Sequence, residues 1–204
     1  MTANEARPAP PGACDLSVMG TRRLPTLQGE RVRLRWLTED DLDALFTIFS
    51  DPAVTRFWSA LPITRRGEAR RLLLDARREY RERTLFEWGM AMNDTDEVVG
   101  TVTLFNFDVE NRRAELGFAL ARRHWGRGLM REGLDLVVGL CFGPLGLRRL
   151  EADVDPLNAA SLKLLESLGF RREGLMRERW NVGGELQDGV LLGLLAREWA
   201  GPGR

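Results

Sequence analysis

The chain has 204 residues, 44% hydrophobic and 29% charged, with 30 basic against 30 acidic side chains and no formal net charge. That is the size and composition of one globular domain with short tails. Balanced charge argues against nucleic acid as a main partner, and the longest apolar run, residues 136–147, is too short and too broken by glycines and Pro144 to span a membrane. Cys14 and Cys141 make no disulfide framework, and with no secretory signal visible the expected compartment is the cytoplasm.

Residues 1–23, rich in Ala, Pro and Gly and without period, are expected to form a mobile extension; residues 24–200 form the single domain and 201–204 a tail. Residues 31–36 alternate polar and apolar like a half-buried strand. Thr38 with Glu39, Asp40 and Asp41 reads as a cap and acidic first turn, opening a helix with Leu42, Leu45, Phe46 and Phe49 on one face. Asp51-Pro52 ends it. Thr64 is expected to cap a second, highly charged helix running to about Arg83. Segments 85–92, 98–107 and 113–120 are strand-like, and the short polar links between them predict an antiparallel meander.

A helix follows over residues 129–142, with Met130, Leu134, Val137, Val138 and Cys141 on one stripe. The strand-like run 149–154 after it implies a parallel crossover. A short helix at 158–168 is closed by Gly169, and segments 170–181 and 187–195 form a hairpin across Gly183-Gly184. The fold class is α/β (an α+β mixed sheet), mostly antiparallel with one central parallel pair and flanking helices.

The segment Arg123-His124-Trp125-Gly126-Arg127-Gly128-Leu129-Met130 lies between a strand and a helix. Two glycines there let backbone approach a ligand, and the first free amides of the helix favour an anion. With Arg122, Arg123, Arg127 and Arg131 around it, the turn reads as a diphosphate cradle; a tight loop with a solvated basic face is the other reading.

This loop resembles that of the GNAT superfamily of acetyl-CoA-dependent N-acetyltransferases, and the likeness runs in order from about Pro25 to Trp199. Its branch flavour is that of the ribosomal-protein N-terminal acetyltransferases. It comes from Arg31-Val32-Arg33-Leu34 with Thr38-Glu39-Asp40, from Asp51-Pro52-Ala53-Val54, from Trp125-Gly126-Arg127-Gly128-Leu129-Met130, and from Asp155-Pro156-Leu157-Asn158 with Ser161 and Leu168-Gly169-Phe170. The resemblance implies a GNAT fold, acetyl-CoA as cosubstrate, no metal, and transfer of an acetyl group to a primary amine by direct attack in a ternary complex. The acceptor would be a protein N-terminus or a small amine. It implies that amides from Arg123 to Met130 hold the diphosphate, and that the pantetheine arm lies along a splayed strand edge at Phe118 and Leu120, where a backbone N–H would polarise the thioester.

Glu115, a carboxylate in a mostly apolar strand, is the candidate base; a structural Glu paired with Arg112 or Arg113 is the alternative. Many members of the superfamily carry a Tyr seven residues after the conserved Asn. Here that Asn is Asn158 and the position is Leu165, which leaves Ser161 or solvent to protonate the leaving thiolate. Asn158 also reads as an N-cap and coenzyme contact. Trp58, Trp180 and Asp188 are candidates for the acceptor side, with core or structural roles as their alternatives. His124, the single histidine, is placed on the loop surface. The missing Tyr raises a second function, a non-catalytic acyl-CoA sensor of the same fold. A homodimer paired through the last strand stays open.

Overall fold

The computed structural model describes residues 13–201. Among them, eight strands form one sheet: β1 (Leu27–Gln28), β2 (Val32–Arg35), β3 (Leu85–Met92), β4 (Val98–Asp108), β5 (Arg113–Leu120), β6 (Arg149–Val154), β7 (Arg171–Val182) and β8 (Glu185–Leu195), in the order β1-β2-β3-β4-β5-β6-β8-β7. The helices are α1 (Leu42–Phe49), α2 (Pro52–Thr55), α3 (Arg66–Glu82), α4 (Leu129–Phe142) and α5 (Ala159–Ser167). The expected mixed α/β sheet is what the chain forms: β5 and β6 are the parallel pair and the other neighbours run antiparallel.

The parallel pairing is short. It joins Arg113 to Arg149, Ala114 to Leu150 and Glu115 to Glu151, and stops. Beyond it β5 continues to Leu120 paired only with β4, and β6 continues to Val154 paired only with β8. The two strands therefore splay apart in mid-sheet, with Glu115 at the apex and Leu120 at the open end.

Strand alternation assigns the two faces. Phe86, Trp88, Met90, Ala114, Leu116, Leu150, Ala152, Leu192 and Leu194 turn to the main core under α4 and α5. All five residues of the expected α4 stripe are buried there. Ala91 and Ala119 turn the other way, to a smaller core with α1 and α3. Glu115, Glu151 and Asp153 alternate with main-core residues and so belong to this second face.

Some local expectations changed. The amides of Thr64 and Arg65 donate to the Glu68 carboxylate at 2.6 and 3.0 Å, so α3 is capped from inside its own first turn. Asp51 opens the extra turn α2 by accepting from Ala53 N–H at 2.9 Å. Residues 1–12 of the expected extension and 202–204 of the expected tail lie outside the described residues. From residue 13 the chain is packed against the domain: Leu16–Met19 form a 3₁₀ turn, Met19 is fully buried, and the Asp15 amide donates to Leu145 O at 2.9 Å. Tyr80, the single tyrosine, is buried and donates its hydroxyl to Met19 O at 3.1 Å, so it belongs to the core.

Candidate active site

At the open end of the splay the chain turns through a 3₁₀ segment, Arg122–His124, into the glycine loop. Gly126 and Gly128 both have left-handed backbone, φ 70° and 73°, which a side chain would strain. A Cβ on Gly126 would meet nothing within 4 Å, so that glycine faces open space. The amides of Gly126, Arg127, Gly128, Leu129 and Met130 have no internal acceptor among the described residues. These unspent donors at the head of a helix of 14 residues form the anion-binding geometry.

Arg31, just before β2, holds the loop in this state. Its guanidinium donates to the carbonyls of Arg127 and Gly128 at 2.9 and 3.3 Å, which turns those oxygens inward. Glu132, in the first turn of α4, accepts from the Arg31 amide and Nε and from the Val32 amide at 2.7, 2.9 and 3.2 Å. Burial pushes the Glu132 carboxyl up, but those donors outweigh it and hold it below its ordinary range. Trp125, 47% exposed, donates its indole N–H to Leu120 O at 2.7 Å and ties the loop to the end of β5.

The arginines around the loop divide. Arg122 pairs with Asp51, Arg123 with Glu97, and Arg131 with Asp135. His124 is a correction: it is only 8% exposed, because the 3₁₀ turn points its ring inward. Arg123 Nε donates to its Nε2 at 3.0 Å, and Arg127 Nη1 stands 3.2 Å from Nδ1. Burial, then the charges of Arg123 and Arg127, lower its pKa and favour the neutral ring.

At the apex, Glu115 accepts from Asn106 Nδ2 at 2.8 Å. Asn106 sits in left-handed backbone, φ 51°, where a bulge breaks the β4–β5 register. Burial raises the Glu115 pKa most; the Asn106 hydrogen bond lowers it, Asp153 raises it, Arg179 lowers it and Glu151 raises it, with a net rise. Arg113, one of the expected structural partners, turns instead to Glu151 at 2.9 Å and Asp108 at 3.4 Å.

Asn158 caps α5, its Oδ1 accepting from the Ser161 amide at 3.1 Å. The Ser161 hydroxyl is half-buried and has no protein partner among the described residues, unlike Ser167, whose hydroxyl donates back to Leu164 O at 2.6 Å. Leu165 is fully buried in the main core. Phe118 and Leu120 are half-buried and lie against that core.

Residues 31–171 match the acetyltransferase (GNAT) domain family. The chain belongs to the GNAT acetyltransferase family. This GNAT chain is 38% identical over 178 residues to N-acetyltransferase p20 of Bacillus licheniformis, itself uncharacterized, a match covering 87% of this chain and 100% of p20. It is 29% identical over 126 residues to the ribosomal protein uS5-alanine N-acetyltransferase of Escherichia coli, covering 61% of this chain and 64% of that enzyme. Among solved structures, Mycobacterium smegmatis RimJ in complex with CoA-disulfide superposes with a TM-score of 0.78 at 25% identity, covering 87% and 90% of the two chains. The family makes this chain an N-acetyltransferase, which leaves the sensor reading without support.

On β7 of this GNAT domain, Trp180 donates its indole N–H to Asp153 Oδ2 at 3.1 Å, and Arg179 Nε donates to the same oxygen at 3.1 Å. Asp188 accepts the Glu178 amide at 2.8 Å; Glu178 has φ 52°, inside a bulge where residues 177–179 of β7 stand against Asp188 of β8. Asp188 thus shapes the bulge that presents Arg179 and Trp180. Trp58 packs edge-on against Phe49, 5.0 Å between centroids, in the smaller core. A cavity of roughly 290 Å³ opens between residues 52–62 and the β7–β8 hairpin tip, lined by Thr55, Arg56, Leu61, Val182, Gly183 and Gln187. Neither Trp58 nor Trp180 lines it.

Sequence reading missed Arg31, Asn106, Asp153 and Arg179. Asp153 had a signal. It is a carboxylate in a strand expected near the sheet centre, the same argument that singled out Glu115.

Proposed function

We propose that this acetyltransferase moves an acetyl group from acetyl-CoA to a primary amine by direct attack in a ternary complex. The observation that carries the reading is the mid-sheet splay, with unbonded loop amides at its open end and Glu115 at its apex. The unspent donors and the space over Gly126 suit a diphosphate. Bound acetyl-CoA supplies the activated thioester, its diphosphate on the amides of Gly126 to Met130, since those of His124 and Trp125 are spent in the 3₁₀ turn, and its pantetheine arm beside Phe118 and Leu120. Asn158, the cap of α5, lies beside that arm.

Glu115 takes the proton that leaves the acceptor ammonium, through water, and its raised pKa suits a base working near neutral pH. The freed amine nitrogen forms a bond to the thioester carbon, polarised by a backbone N–H near Leu120. The carbon–sulfur bond breaks, and the sulfur receives a proton from the Ser161 hydroxyl, which recovers one from the newly acylated nitrogen through solvent. Trp58, Trp180 and Asp188 shape the acceptor side. The uS5-alanine relative favours a protein's alanine amine as acceptor. A thiol-release assay with acetyl-CoA against N-terminal peptides and small amines tests this reading. Amine-dependent release is expected, and no release with any acceptor contradicts it.

A further inference from the structure

Three carboxylates share the second sheet face near the splay, and their partners differ. Glu151 is satisfied on both oxygens, by Arg113 Nη1 at 2.9 Å and by Arg149 Nε at 2.7 Å. Glu115 holds Asn106 on one oxygen. Asp153 sits on β6 just past the end of the parallel pairing, on the far wall of the splay from β5. Its side chain is only 5% exposed, yet its Oδ1 is buried with no hydrogen-bond partner among the described residues. A buried carboxylate oxygen left unpaired is costly and asks for a ligand. Gly189 keeps that oxygen's place open: a Cβ there would lie 2.2 Å from Oδ1.

The cation now beside Asp153 is loosely held. Arg179 reaches it through Nε alone, at 3.1 Å, and is 44% exposed, its guanidinium lying over Trp180, 5.1 Å from the ring centroid. Elsewhere in the chain Arg35 grips Asp41 through both Nη groups at 2.9 and 2.8 Å, the bidentate geometry of a fixed pair. Arg179 also rides on β7, the sheet-edge strand, in the bulge opposite Asp188. Asp153 lies two residues beyond Glu151, the register partner of Glu115, on the same sheet face, and both it and Arg179 act electrostatically on Glu115.

We propose that Asp153 is the carboxylate that binds the acceptor's primary ammonium group, and that Arg179 fills this subsite in the acceptor-free enzyme as an internal cation that the acceptor displaces. An ammonium has three donors. One goes to Oδ1, a second replaces Arg179 on Oδ2, and the third faces Glu115, the group that removes the proton. Trp180 keeps its indole bond to Oδ2 and holds the carboxylate still. The inference rests on the acetyl-transfer reading above and specifies its acceptor site.

The test pairs two variants with opposite expected signs. The probes are a tetrapeptide amide beginning with alanine, spermidine, and the N-acetylated tetrapeptide. Binding is measured by calorimetry to enzyme saturated with coenzyme A, and KM by thiol release. Asp153→Asn keeps shape and the Trp180 bond but loses the charge. It should weaken acceptor binding and raise acceptor KM about tenfold or more, as loss of a charged hydrogen-bond partner does, with acetyl-CoA KM within about twofold. Arg179→Gln should tighten acceptor binding and lower acceptor KM several-fold. The N-acetylated peptide, without an ammonium, should respond to neither change. A purely structural Asp153–Arg179 pair predicts that both variants weaken acceptor binding together, and that result overturns the inference. If Asp153→Asn fails to fold, Arg179→Gln decides alone, since unchanged or weaker acceptor binding rejects displacement. Wild-type turnover with both acceptor KM values unmoved rejects this subsite only, whereas no wild-type turnover with any amine rejects the acetyl-transfer reading and this subsite with it. Response to the peptide but not to spermidine assigns the ammonium to a peptide N-terminus, and the converse assigns it to a small amine.

Discussion

The two walls of the splay are built from different materials. The β5 wall, with the glycine loop and α4, presents backbone: amides with no internal acceptor among the described residues, glycines at φ 70° and 73°, and side chains such as Arg31 and Glu132 that hold the loop from behind. The β6–β8–β7 wall presents side chains: Asp153, Arg179 and Trp180, set by a bulge that Asp188 ties down. A backbone site serves a ligand part that never changes. A side-chain site can be rewritten one residue at a time without touching the fold, which suits the part of the reaction where acceptors differ.

The largest effect should fall where the walls meet. Glu115→Gln is expected to lower kcat about 10²–10⁴-fold, the range for loss of a general base, with coenzyme A affinity unchanged. On the backbone wall, Gly128→Val adds strain at positive φ and bulk beside Arg31. We expect coenzyme A binding to weaken by about tenfold or more, since lost amide contacts of 1–2 kcal/mol correspond to that factor, while acceptor KM holds. If Gly128→Val changed acceptor KM alone, the division between the walls would fail.

A pH profile sharpens the comparison with a smaller effect. Burial raises the Glu115 pKa above its ordinary 4.5, and the reactive form is ionised, so kcat should fall as pH drops through that raised value. The Asp153 charge adds to the rise and the Arg179 charge opposes it. Asp153→Asn should therefore move the acid limb to lower pH and Arg179→Gln to higher pH, and a limb that ignores both places Glu115 outside their field. The smallest effect belongs to Trp125→Phe, which removes one hydrogen bond to Leu120 O. It should cost about 1 kcal/mol or less by thermal melting, with a correspondingly small loss of coenzyme affinity.

The same division explains what could be read from the chain. Gly126, Gly128 and the Met130–Cys141 stripe announce the backbone wall locally, because positive φ and helical period are written in adjacent residues. Strand alternation likewise made the meander and the parallel crossover legible. The splay came only from the family resemblance, since it depends on where β5–β6 pairing stops after Glu115 and Glu151, and no local pattern marks that point. Asp153 and Arg179 meet through register between β6 and the edge strand β7, and Asn106 reaches Glu115 from a bulge that no local pattern marks. His124 was misplaced because the turn that buries it is set by the end of β5. Arg31 looked like an alternating strand residue, while its partners, Glu132 and the loop carbonyls, lie about a hundred residues away.

The central claim is that main-chain amides of the glycine loop bind the coenzyme's diphosphate. Amide NMR of the labelled protein titrated with coenzyme A tests it most directly. The amide signals of Gly126, Gly128, Leu129 and Met130 should shift downfield together and saturate with one equivalent, while those at the β7–β8 hairpin tip move little. Saturable binding that leaves those loop amides unshifted would contradict the account.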